Sequence, residues 1–77
     1  MVTAGQMRAA RALIGIAQAE LARRAGVSVP TIKRCESDGK NGSIVSAETQ
    51  AKIRTVLEAE GVEFTNGDRP GVRLRRP

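Results

Sequence analysis

Gly15, Gly26 and Gly61 each close a stretch of chain in which apolar residues recur at three- to four-residue spacing. Glycine readily takes the left-handed backbone that stops a helix, so this punctuation restricts the chain to short, separately capped helices. The first runs from about Ala4 to Ile14, with Met7, Ala10, Leu13 and Ile14 on its apolar side. Thr3 caps it, and Gln6 stands three residues on as the reciprocal partner. The second, Gln18 to Ala25, has Ala17 in its N-cap position, a choice that costs about 1 kcal/mol relative to Ser or Thr. Ser28 caps a third helix reaching about Ser37, with Pro30 tolerated in the first turn. Ser46 caps a fourth through Glu60, with Ile53, Val56 and Leu57 on one face.

Two segments break the helical period. Asp38 to Val45 is a loop, punctuated by Gly39, Asn41-Gly42 and Ser43. After Gly61 the period drops to two. Val62 and Phe64 alternate with Glu63, while Val72 and Leu74 alternate with Arg73 and Arg75. The turn formers from Asn66 to Gly71 join them, so 62–76 reads as a β-hairpin with one apolar face packed on the helices.

The chain has 77 residues, enough for a single small domain spanning 1–77. A domain of this size buries roughly 60–65% of its unfolded surface, which leaves a marginal core unless something reinforces it. One cysteine cannot form an internal disulfide, and without histidine the common metal-site patterns lack ligands. No cofactor or metal is expected. The same inventory argues against an enzyme: there is no histidine base, and the eight carboxylates are scattered. The apolar run Ala12 to Ala17 is shorter than a signal-peptide core and far too short to span a bilayer, which reads as a cytoplasmic protein.

Charge narrows the partner. A net charge of +5 and a pI near 10.7 favour a polyanion. Phe64 is the sole aromatic ring, and binders that stack bases need several. Duplex DNA, read by a helix in a groove, is the better match. The charge is also segregated: residues 1–42 hold seven bases against three acids, 43–68 two against five, and 69–77 four against none. That pattern points to one charged working face.

The stretch Gln18 to Ser37, QAELARRAGVSVPTIKRCES, places that face. Two short helices joined by a glycine turn make a helix-turn-helix over 18–37. Ala22 is small where the helices cross, and Leu21, Ala25, Val27, Ile32 and Cys35 are the expected buried side chains. Ser28, Val29, Pro30, Thr31, Lys33 and Arg34 are left around the start and exposed face of the third helix. In such a motif these positions approach base edges.

Here the chain resembles the lambda-repressor-like, or XRE-type, regulators. Their pattern Q-x-x-L-A-x-x-A-G-V-S-x-x-T-I-x-x-x-E is met by Gln18, Leu21, Ala22, Ala25, Gly26, Val27, Ser28, Thr31, Ile32 and Glu36. The resemblance covers roughly residues 6–60. The tail, GVEFTNGDRPGVRLRR, is similar to the ending of many small stand-alone members. Ala17 and Cys35 depart from the family, which often has Ser or Thr at the first position and a larger apolar residue at the second. The resemblance implies a mainly α fold, a compact four- to five-helix bundle here ending in a β-hairpin, with sequence-specific duplex-DNA binding and commonly a dimer on a palindromic operator.

Carried over by position, Gln18 contacts phosphate from a helix N-terminus. Thr31, Lys33 and Arg34 read base edges or adjacent phosphates. Arg34 suits a bidentate guanine contact, and Val29 suits a thymine methyl. Lys40 and Asn41 hold a phosphate beyond the third helix. The hairpin leaves a strand edge where a second subunit can pair, which makes Val62, Phe64, Val72 and Leu74 the candidate dimer residues. The tail arginines Arg73, Arg75 and Arg76 either grip DNA or balance Glu63 and the acidic fourth helix. The leading expectation is a small dimeric repressor. The alternatives are the antitoxin of a toxin–antitoxin pair or an activator that touches RNA polymerase. No small-molecule ligand is expected, because no sensing domain fits in this length. Cys35 reads as a small core residue, not a redox sensor.

Overall fold

The computed structural model describes residues 2–37, 45–65 and 69–75. Four helices, α1 (Ala4–Ile14), α2 (Gln18–Ala25), α3 (Val29–Cys35) and α4 (Ala47–Ala59), are followed by β1 (Val62–Thr65) and β2 (Gly71–Leu74). The architecture is mainly helical with a two-stranded antiparallel hairpin, as expected.

Local chemistry sets the ends. Thr3 and Gln6 form the capping box: the Gln6 N–H donates to Thr3 Oγ1 at 3.1 Å and the Thr3 N–H to Gln6 Oε1 at 2.8 Å. Gly15 and Gly26 adopt φ of 70° and 71°, so each ends its helix in the left-handed region. The third helix stops two residues short of the expected Ser37. Glu36 leaves helical geometry and turns its side chain inward, while the Ser37 hydroxyl donates to the Lys33 carbonyl at 2.7 Å.

Met7 and Ala10 from α1, Leu21 and Ala22 from α2, Ile32 and Cys35 from α3, Ile53 and Leu57 from α4, and Val62 from β1 form the buried core. Ala22 is the small residue at the α2–α3 crossing. Two expectations are corrected. Leu13 is 44% exposed, because the buried face of α1 runs through Gln6, Met7 and Ala10, and Leu13 lies at its margin. Ala25 and Val27 are only half-buried at the turn, where the chain passes over the surface. Val56, half-buried, packs against the core on the same face as Ile53 and Leu57, as expected.

The hairpin register pairs Val62 with Leu74, Glu63 with Arg73, Phe64 with Val72, and Thr65 with Gly71. Alternation along each strand sends Val62, Phe64, Val72 and Leu74 to the helical side. Gln6 ties the hairpin down: its Nε2 donates to the Thr65 carbonyl at 2.6 Å and the Gly71 carbonyl at 2.9 Å. One buried side chain therefore caps α1 and docks the strands on it.

Candidate nucleic-acid interface

The interface is built from the α2–turn–α3 unit. Ala17 takes the extended N-cap backbone (φ −78°, ψ 161°) but offers no side-chain bond, so α2 starts without a side-chain cap. At its other end, the Gly26 N–H donates to the Ala22 and Arg23 carbonyls and the Val27 N–H to the Ala22 carbonyl at 3.0 Å, which sets the turn. Ser28 then opens α3. Its Oγ accepts the Thr31 N–H at 3.3 Å and shares a hydrogen bond with Thr31 Oγ1 at 2.8 Å. Thr31 is thus half-buried and held by the cap, while Val29 is half-buried at the first turn.

With Ile32 and Cys35 turned to the core, helical spacing sends Pro30, Lys33 and Arg34 to the opposite face, where all three are exposed. Most other arginines are neutralised. Arg23 and Arg24 pair with Glu20, and Arg24 also reaches Glu60. Arg54 pairs with Glu58, and Arg73 and Arg75 with Glu63. Lys33 and Arg34 make no ion pair among the described residues. Lys52 and Arg69 are likewise without an ion pair, but among the described residues only α3 sets two such cations side by side on one solvent face. Of the two roles open to the tail arginines, the geometry of Arg73 and Arg75 matches balancing Glu63. Lys40, Asn41 and Arg76 lie outside the described residues.

Gln18 stands at the first position of α2, half-buried, and its Nε2 donates to Glu36 Oε1 at 3.1 Å. One amide N–H is committed there, and the second has no partner among the described residues. Glu36 is buried at 7% exposure and organises the whole unit. Arg11 grips its carboxylate through Nε–Oε2 at 2.7 Å and Nη2–Oε1 at 3.1 Å, and Arg11 also donates to the Ile16 carbonyl. Arg8 donates to the Glu36 carbonyl. Sequence reasoning assigned Glu36 to the family pattern but gave no role to Arg8 or Arg11. The available signal was an acid due to be buried at the end of a basic helix, which requires a cation nearby. Cys35 adjoins this cluster, and burial together with the Glu36 charge raises its thiol pKa, so the protonated thiol behaves as a packed side chain.

A helix-turn-helix family profile matches residues 7–59, well over half the chain. The protein belongs to the helix-turn-helix family. It is of the XRE, lambda-repressor-like type, a family of DNA-binding regulators, not of enzymes. In this chain the Glu36 cluster joins α1, through Arg8 and Arg11, to the start of α2 and the end of α3. No curated protein matches the chain significantly. No helix among the described residues of this helix-turn-helix protein is long and apolar enough to cross a membrane.

Proposed function

We propose that this helix-turn-helix protein is a cytoplasmic, sequence-specific transcriptional repressor that acts as a dimer and reads the major groove of duplex DNA with α3. The observation that carries the reading is the pair of exposed cations, Lys33 and Arg34, on the face of α3 turned away from Ile32 and Cys35. Arg34 is suited to a guanine edge, and Val29 and Thr31 lie at the first turn, where an inserted helix meets bases. Gln18, with its free N–H, and the first turn of α2 grip phosphate beside it. Because the Glu36 cluster links Gln18 to the end of α3, phosphate gripping and base reading share one rigid frame.

Val62, Phe64, Val72 and Leu74 face the protomer's own helices, and Val62 is fully buried. The hairpin's contribution to a dimer therefore rests on main-chain pairing at a strand edge more than on these four side chains.

Selection of bound sequences from random duplexes tests the proposal. A palindrome with half-site centres about one helical turn apart is the expected result. Recovery of no preferred sequence overturns the specific-reader assignment, and a lone half-site overturns the symmetric dimer.

A further inference from the structure

The outward face of α3 offers cationic donors and apolar surface, but no carboxylate and no amide. Val29 and Pro30 stand one turn before Lys33 and Arg34, each four residues from its counterpart and so on the same side of the helix. Pro30, Lys33 and Arg34 are exposed, and Val29 is half-buried. The hydroxyls of the first turn are occupied with each other: Ser28 Oγ and Thr31 Oγ1 share a hydrogen bond at 2.8 Å, and Ser28 Oγ also accepts the Thr31 N–H. Pro30 has no main-chain N–H to offer. The acid nearest in sequence, Glu36, is buried and gripped by Arg11.

This chemistry selects among base edges. In the major groove cytosine and adenine present amino donors, which call for an acceptor. Guanine presents two acceptors, and thymine presents an acceptor and a 5-methyl group. A face with cations at one turn and bare hydrocarbon at the turn before it answers guanine with the first and thymine with the second.

We propose that the first turn of α3 reads pyrimidine 5-methyl groups, with Val29 and Pro30 packed on two neighbouring thymine methyls and Arg34 on a guanine about two base pairs away. The inference rests on the reading of α3 as the groove helix and deepens it, because the leading contacts are methyl packing with no hydrogen bond to a base. The spacing follows from helix geometry. Four residues rise about 6 Å, close to two base steps of roughly 3.4 Å, so both contacts fall within one half-site. Recognition then follows the methyl group and not the base as such. Uracil, which is thymine without the methyl, binds worse at these positions, and 5-methylcytosine binds better than cytosine.

Selection by the full chain from two random duplex pools, one made with thymine and one with uracil throughout, tests this. The thymine pool yields neighbouring thymines about two base pairs from a guanine, and the uracil pool loses the preference at that step. The best thymine duplex is then remade with uracil at those two positions only. Affinity, read by fluorescence anisotropy, falls roughly threefold for each methyl removed. With cytosine there instead, methylation at C5 raises affinity by a similar factor. The uracil penalty shrinks in Pro30→Ala, a change at an exposed position, and vanishes in Val29→Ala with Pro30→Ala, while circular dichroism shows both variants folded. Equal affinity of the wild type for the thymine and uracil duplexes overturns the proposal, as does a penalty that the folded double variant keeps in full. The same consensus from both pools overturns methyl reading alone. Enrichment from neither pool overturns α3 as a sequence reader, and the methyl inference with it.

Discussion

Arg11 and Glu36, 25 residues apart in sequence, form a two-pronged ion pair in which the carboxylate is almost wholly buried and the guanidinium partly so. A buried carboxylate is costly without such a partner, and here two side chains, Arg11 and Gln18, satisfy it. Removing the acid strands Arg11 and takes the acceptor of the Gln18 amide. Glu36→Ala is expected to lower unfolding stability by about 3 kcal/mol, read from urea denaturation. A loss within 0.5 kcal/mol, approximately the scatter of ordinary surface changes, refutes the latch.

Ala17 points the other way. Its backbone already has N-cap geometry, and only the side-chain acceptor is missing. Ala17→Ser is predicted to stabilise the protein by about 1 kcal/mol, seen as a higher midpoint in thermal or urea unfolding. An unchanged or lowered midpoint shows that the serine hydroxyl does not reach the first turn of α2.

Lys33 and Arg34 separate binding from stability. The double change Lys33→Ala and Arg34→Ala removes no ion pair among the described residues, so the unfolding midpoint is expected to stay put. Operator affinity falls, and its salt dependence becomes shallower by about one unit of slope for each phosphate that is no longer neutralised. Fluorescence anisotropy across a salt series reads both. Intact affinity and specificity in the double variant show that α3 does not face DNA.

Glu20 supplies a pH signature. Its hydrogen bonds to Arg23 and then Arg24 bring its pKa from an ordinary 4.5 to about 2. A carboxylate depressed in the folded state stabilises above its unfolded pKa, and that contribution is lost as pH falls through the folded value. The wild type should exceed Glu20→Gln in urea midpoint at neutral pH, with the gap closing between about pH 4.5 and about 2. The pair is solvent-facing, so the gap is small and shrinks in high salt. A gap that is constant with pH, or that widens in acid, contradicts the assignment.

Much of the fold was legible because its causes are local. Thr3, Ser28 and Ser46 are caps that act within three residues, and Gly15 and Gly26 are stops set by their own φ. The exposed face of α3 followed from the same logic, since Ile32 and Cys35 fix the inward side and Pro30, Lys33 and Arg34 take what remains. Leu13 was misread because periodicity gives the direction of an apolar stripe but not its width. Alternation also showed that Val62, Phe64, Val72 and Leu74 share the face of the hairpin that packs on the helices.

The sequence by itself determined the four helices, the glycine turn between α2 and α3, and a third helix whose outward face is basic. These depend on backbone conformation and side-chain spacing over a few residues. Tertiary structure alone decided which charges remain uncompensated, because ion pairs such as Arg24–Glu60 and Arg73–Glu63 join residues distant in sequence. It also decided that Gln6 and Glu36 turn inward, one to dock a hairpin and the other to fasten three helices. Burying a polar group is favourable only when partners converge on it, and convergence is a property of the packed chain.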